Sequence, residues 1–106
     1  YFRRDGLDIS IDLPLSIAEA SLGTKVDLPT LDGPATLTIP QGTSGGAKLR
    51  LRGRGIHDPR AGTTGDMYAL VRIMAPKKLS PRAVELLKQF DDEADFDPRA
   101  DLQWRL

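Results

Sequence analysis

The stretch "KLRLRGRGI" (residues 48–56) places Lys48, Arg50, Arg52 and Arg54 alternately with Leu49, Leu51 and Gly53. In extended geometry successive side chains point to opposite faces, so the leucines share one face and the basic residues the other. The Gly53-Arg54-Gly55 step then signals a turn or a positive-φ backbone at the strand exit. Three readings compete: a nucleic-acid-binding row, a phosphate loop, or the solvent side of a strand running into a turn. The preceding "GTSGGAKLR" lacks the G-x-x-x-x-G-K-[ST] spacing and leads into a strand, whereas a phosphate loop leads into a helix N-terminus. A base-stacking platform would interleave aromatic residues with the charges, and none is present. The chain carries 15 basic and 15 acidic residues, so its net charge gives no reason to seek a polyanion. The favoured reading is a solvated strand face whose charges pair with Asp8, Asp12 or Asp27 across a sheet. Arg60 extends the basic patch if the row is functional.

Around this strand, "LDISIDL" alternates without a break: Leu7, Ile9, Ile11 and Leu13 face one way, Asp8, Ser10 and Asp12 the other. "YFRRDG" predicts a short strand ending in an Asp5-Gly6 turn. Pro14 is expected to break the run. "LSIAEASLG" then reads as a short helix with Ile17, Ala20 and Leu22 inward and Gly23 as a left-handed cap. "TKVDLPTL" and "PATLTIP" flank Asp32-Gly33, a hairpin signal that sets Val26 and Leu28 inward against Leu37 and Ile39. "GRGIHDPRAGTTGD" reads as a long exposed connection. "MYALVRIMAP" is apolar at both alternate sets, Met67, Ala69, Val71 and Ile73 against Tyr68, Leu70, Arg72 and Met74, and is expected to be covered on much of both faces.

After Pro76 the period lengthens to that of a helix. "LSPRAVELLKQFDDE" has Ser80 as N-cap, Pro81 at the first helical position, and one apolar stripe of Ala83, Leu86, Leu87 and Phe90. The acidic run after it opposes the helix dipole and predicts fraying. The fold class expected is mainly β: six or seven short antiparallel strands in a small two-sheet β-sandwich, with a short internal helix and a C-terminal helix. The division expected is a sandwich over residues 1–79 and a helix and tail over 80–106. A chain of 106 residues suits one core. It opens at Tyr1 without Met, in strand-like sequence, which gives the expectation of a segment excised from a longer protein.

The residue inventory excludes several chemistries. There is no Cys, hence no disulfide and no thiolate metal site. The single His57, in "IHDPR", reads as a solvated loop residue. No Ser sits in a G-x-S-x-G elbow, and the acids at 91–97 lack calcium-loop spacing. No catalytic residue, metal or cofactor is expected, and no apolar run approaches the roughly 18 residues of a membrane span. A cytoplasmic location is the expectation compatible with the absence of Cys.

The ordered set "DLPLSIAEASLGTKVDLPTLDG", "LTIPQGTSGGAKLRLRGRGI", "GDMYALVRI" and "P-x-x-LSPRAVELLKQF" resembles the second C-terminal domain of DnaJ-type (J-domain) co-chaperones, from about Phe2 to Phe90. The tail "FDPRADLQW" resembles the curved-DNA-binding subgroup. The resemblance implies a non-enzymatic β-sandwich that helps bind unfolded polypeptide clients for the seventy-kilodalton heat-shock chaperone, in a homodimer whose contacts follow the second sandwich. On that reading Leu87, Phe90, Phe96, Leu102, Trp104 and Leu106 are candidate dimer contacts. Lys48, Arg50, Arg52, Arg54 and Arg60 are candidate contacts to an acidic partner or, as the alternative function, to DNA. "HDP" (His57 to Pro59) is not the His-Pro-Asp signature of a J-domain, so this segment alone is not expected to stimulate an ATPase.

Overall fold

A computed structural model describes residues 1–103. The strands are β1 (Arg3–Asp5), β2 (Asp8–Leu15), β3 (Thr24–Thr30), β4 (Gly33–Ile39), β5 (Lys48–Leu51), β6 (His57–Asp58), β7 (Thr63–Thr64) and β8 (Met67–Ile73). The helices are α1 (Ile17–Leu22) and α2 (Pro81–Ala94). The described residues form two compact units, one over 1–75 and one from 76 onward.

In the first unit a four-stranded sheet runs β1-β2-β8-β5, beside a β3–β4 hairpin and a third, two-stranded ribbon β6–β7. Ile9, Ile11, Leu13 and Leu15 of β2 and Met67, Ala69 and Val71 of β8 bury one face of the larger sheet, joined in one core by Ala20, Leu28 and Ile39. This is the mainly β architecture that the alternation predicts, with Leu49 and Leu51 packed against the core from β5.

Several expectations are corrected. β2 and β8 pair parallel, not antiparallel. Their connection of some fifty residues winds through α1, the β3–β4 hairpin and β5, and a crossover of that length permits the parallel arrangement. Pro14 does not end β2. Ile9 N–H donates to Asp66 C=O at 2.9 Å and Leu15 C=O accepts from Met74 N–H at 2.8 Å, so the odd positions of β2 bond to β8. Pro14 lies in the even set, beyond the last residue that β1 pairs, and its missing N–H removes no ladder bond. The connection after β5 is folded into the β6–β7 ribbon, and His57 lies in β6 with Nδ1 2.8 Å from Thr64 Oγ1.

In α1 only Ala20 is buried; Ile17 is 38% exposed and Leu22 73%. A six-residue helix presents too little length for a three-residue inward stripe. Its start has the reciprocal pattern of a capping box: Ser16 Oγ accepts from Glu19 N–H, and Glu19 Oε1 accepts from Ser16 N–H. Gly23 has φ 79° but ψ 155°, outside the left-handed helical region. β8 is buried on one face only. Tyr68 and Leu70 on the other are half-buried, and Ile73 at the strand's end is 36% exposed.

In the second unit, Ser80 caps α2 by accepting from Ala83 N–H at 3.1 Å, and Pro81 fills the first turn. Asp95 closes the helix with φ 47°. No helix of the described residues is long and apolar enough to cross a membrane.

Gly55 and Gly65 mark the tightest packing. A Cβ on Gly65 would meet Leu7 O at 2.1 Å, and one on Gly55 would meet it at 2.4 Å. Neither residue has a positive φ, so the need for glycine is steric. Gly55→Ala and Gly65→Ala are each expected to lower unfolding free energy by about 2–4 kcal/mol. Gly45→Ala, whose Cβ would meet a side-chain carbon of Ile73 at 3.4 Å, is expected to fall within about 0.5 kcal/mol of wild type. Urea melts of the three variants check this ordering.

Candidate functional site

β5 is an edge strand: β8 pairs with one side of it, and among the described residues no strand pairs with the other. Val71 N–H donates to Ala47 C=O at 2.9 Å, and the register sets Leu49 opposite Ala69 and Leu51 opposite Met67. In an antiparallel ladder, bonded positions alternate. The main-chain groups of Leu49 and Leu51 therefore bond to β8, while those of Lys48 and Arg50 point to the open side. The strand offers an unpaired ladder beside half-buried Leu49 and Leu51 on one face and two cations on the other.

The basic row is not one continuous stripe. Lys48 and Arg50 share the outward face of β5, but the strand ends at Leu51, so Arg52 and Arg54 belong to the following turn. Arg60 lies between β6 and β7. All five are exposed. Lys48 Nζ sits 4.3 Å from the centre of the Tyr68 ring, a cation–π contact. Arg50 is held by Asp66, with Nε 2.8 Å and Nη2 2.5 Å from Oδ2. The other carboxylate oxygen accepts Gly53 N–H at 2.8 Å. Asp66 N–H in turn donates to Asp8 Oδ1 at 2.7 Å. The sequence expectation named Asp8, Asp12 and Asp27 as partners of this row. The observed partner is Asp66, while Asp12 bridges Arg3 at 2.8 Å and Arg72 at 3.5 Å, and Asp27 accepts from Thr36 Oγ1. The signal for Asp66 was its place after Gly65 at the entry of the last strand, where its role as a clamp depends on a tertiary turn invisible to spacing.

The candidate dimer contacts fall in the second unit. Leu87 and Phe90 lie on α2 and are 37% and 49% exposed, with neighbouring Leu86 at 47%. Phe96 and Leu102 follow at 74% and 49%. Trp104 and Leu106 lie outside the described residues. Among the described residues no group of three or more His, Cys, Asp or Glu is placed to hold a metal ion.

Residues 1–76 match the DnaJ C terminal domain family. Curated relatives named chaperone protein DnaJ include that of Geobacillus thermodenitrificans, 43% identical over 91 residues, which are 86% of this chain and 24% of the relative. Those of Rhodopirellula baltica and Erysipelothrix rhusiopathiae are 45% and 44% identical over 96 and 98 residues, covering 91% and 90% of this chain. The chain spans about a quarter of the length of these relatives, 24% to 26%.

The Asp66 clamp makes the turn after β5 acid-sensitive. The Gly53 N–H and then the Arg50 guanidinium hold the Asp66 carboxyl below the usual carboxylate range, and Arg3 does the same for Asp12. A carboxyl with a lowered folded pKa stabilises the fold above its unfolded pKa, about 4, and loses that contribution as pH falls towards the lowered value. Asp66→Asn is expected to be less stable than wild type at pH 7 and to lose less stability between pH 5 and pH 3. Urea midpoints across that range check the sign; equal slopes for the two proteins would remove the clamp.

Proposed function

Because the chain belongs to the DnaJ C terminal domain family, we propose that it is a non-enzymatic co-chaperone domain that contributes to binding unfolded polypeptide. The observation that carries this reading is the open β5 edge. An extended client segment adds as a further strand, taking the free main-chain groups of Lys48 and Arg50, with its alternate side chains beside Leu49 and Leu51. Main-chain pairing is indifferent to sequence, which suits a partner that is any unfolded chain. Delivery to the seventy-kilodalton heat-shock chaperone is a task of the longer parent, and the naming of the relatives as chaperones supports it.

The second part of the reading is homodimerisation through the region after the sandwich. Leu87, Phe90, Phe96 and Leu102 leave apolar surface in water, and burial against a second copy contributes about 25 cal/mol per Å². Two weak sites on one dimer then act together through effective concentration. The rival reading is duplex-DNA binding in the manner of the curved-DNA-binding subgroup. It depends on Lys48, Arg50, Arg52, Arg54 and Arg60 acting as one row. The engagement of Lys48 by Tyr68 and of Arg50 by Asp66 weakens it.

Titration with a fluorescent unfolded peptide and with duplex DNA, each at two salt concentrations, separates the readings. Peptide binding with little salt dependence is the expected result. DNA binding that falls steeply with salt and disappears in an Arg50, Arg52, Arg54 triple-Ala variant would instead establish the rival. Removal of residues 96–106 is expected to convert a dimer to a monomer in sedimentation, and an unchanged mass would rule out the tail contact.

A further inference from the structure

The open edge of β5 is stopped at both ends. Before the strand begins, Gly46 N–H donates to Val71 C=O at 2.8 Å and Val71 N–H donates to Ala47 C=O at 2.9 Å, so two residues oppose one of β8. That is a β-bulge, and Gly46 has the positive φ, 87°, that one family of bulges uses. Ala47 N–H is drawn off to Ser44 C=O at 3.2 Å. At the other end the strand finishes at Leu51. Gly53 then turns the chain with φ 69°, and Asp66 Oδ1 holds its N–H at 2.8 Å. A bulge and a fixed turn both keep an added strand from running on.

Between these stops the ladder offers the N–H and C=O of Lys48 and of Arg50. Among the described residues no loop main chain bonds to them. An antiparallel partner strand meets them with two of its own residues, i and i+2, each exchanging a pair of bonds. The side chains of i and i+2 stand on the outward face with Lys48 and Arg50. The residue between them, i+1, lies opposite Leu49, on the face where Leu49 and Leu51 are half-buried beside the core. Its own N–H and C=O point away from β5.

We infer that the β5 edge reads a frame of three client residues: a large apolar residue at i+1, between two residues that each keep a main-chain N–H. Proline at i or i+2 removes a ladder bond, whereas a substituent on the nitrogen of i+1 points away from the edge. The apolar side chain of i+1 covers Leu49 and takes apolar surface out of water. Residues beyond the frame meet the bulge on one side and the turn on the other, and add no pairing. This inference rests on the reading that unfolded polypeptide adds at β5, and it gives that ligand a register and a length.

The test uses the whole chain and a seven-residue peptide of serine and threonine with leucine at its centre, N-methylated at one position at a time. Binding is read from the amide resonances of the isotope-labelled protein, and the Lys48 and Arg50 N–H signals are expected to move most. Methylation of either neighbour of the leucine is expected to weaken binding about threefold to tenfold, the span of one hydrogen bond. Methylation of the leucine itself, or farther out, is expected to leave binding within about twofold. On the protein, Lys48→Pro removes one free donor on the side away from β8, so the fold is expected to persist and binding to weaken by the same factor. Lys48→Ala, which keeps the donor, is expected to bind as wild type does. More than two sensitive peptide positions, sensitive positions that are not two apart, or resonance shifts centred away from β5 would overturn the frame. A longer apolar peptide is titrated alongside. If it binds and the leucine peptide does not, the frame falls and the polypeptide reading stands; if neither binds, both fall.

Discussion

The fold of the first unit depends on one close approach of three backbones. Leu7 C=O accepts from Ile56 N–H at 2.7 Å, Gly55 N–H donates to Gly65 C=O at 2.9 Å, and Gly65 N–H returns to Ile56 C=O at 3.0 Å. No side chain fits between these segments. The contact joins the start of β2, the exit from β5 and the entry to β8, so it aligns three of the four strands of the larger sheet. It also seats the base of the β6–β7 ribbon, since His57 follows Ile56 and Thr64 precedes Gly65. One residue further on, Ile9 N–H meets Asp66 C=O, and the parallel register of β2 on β8 is set from there. Asp66 then secures the turn from its polar side through Gly53 and Arg50.

This arrangement explains why the glycine motif at 53–55 reads as a mark of fold before it reads as a mark of ligand binding. Gly53 has φ 69° and turns the chain, whereas Gly55 is required by proximity to Leu7 and Gly65. The two needs look identical in sequence. They separate only when the partner backbone, more than forty residues away in the chain for Leu7, is in place.

The parts legible in advance are those governed by period and local caps. Ile9, Ile11 and Leu13 are buried as their alternation requires, and Ser80 and Pro81 begin α2 as their types require. The β3–β4 hairpin forms where the Asp32-Gly33 signal predicts one, with Leu28 and Ile39 buried, although its two turn residues are Leu31 and Asp32 and Gly33 pairs with Thr30. The parts that were not legible depend on which strand lies beside which. Pro14 is tolerated because its nitrogen lies on the side of β2 that β1 no longer covers. Leu22 is exposed because α1 is short, although its apolarity argues for burial. Of the candidate site, the outward position of Lys48 and Arg50 was legible from alternation. Their engagement by Tyr68 and Asp66 was not, because Tyr68 on β8 and Asp66 just before it come beside β5 only in the folded chain.

An open edge is a liability unless it discriminates against the protein's own copies. The chemistry of β5 supplies that discrimination. If two copies paired antiparallel at this edge with their sheets continuous, the outward residues would have to face outward residues. In the four-residue strand that places Lys48 opposite the second copy's Arg50, and Arg50 opposite its Lys48. Like charges in directly opposed positions oppose the pairing, and the shortness of β5 limits the main-chain bonds available to offset them. A segment without that basic alternation meets no such opposition. The charges on β5 therefore act first against self-pairing, and the ladder they flank stays available to a chain of different sequence.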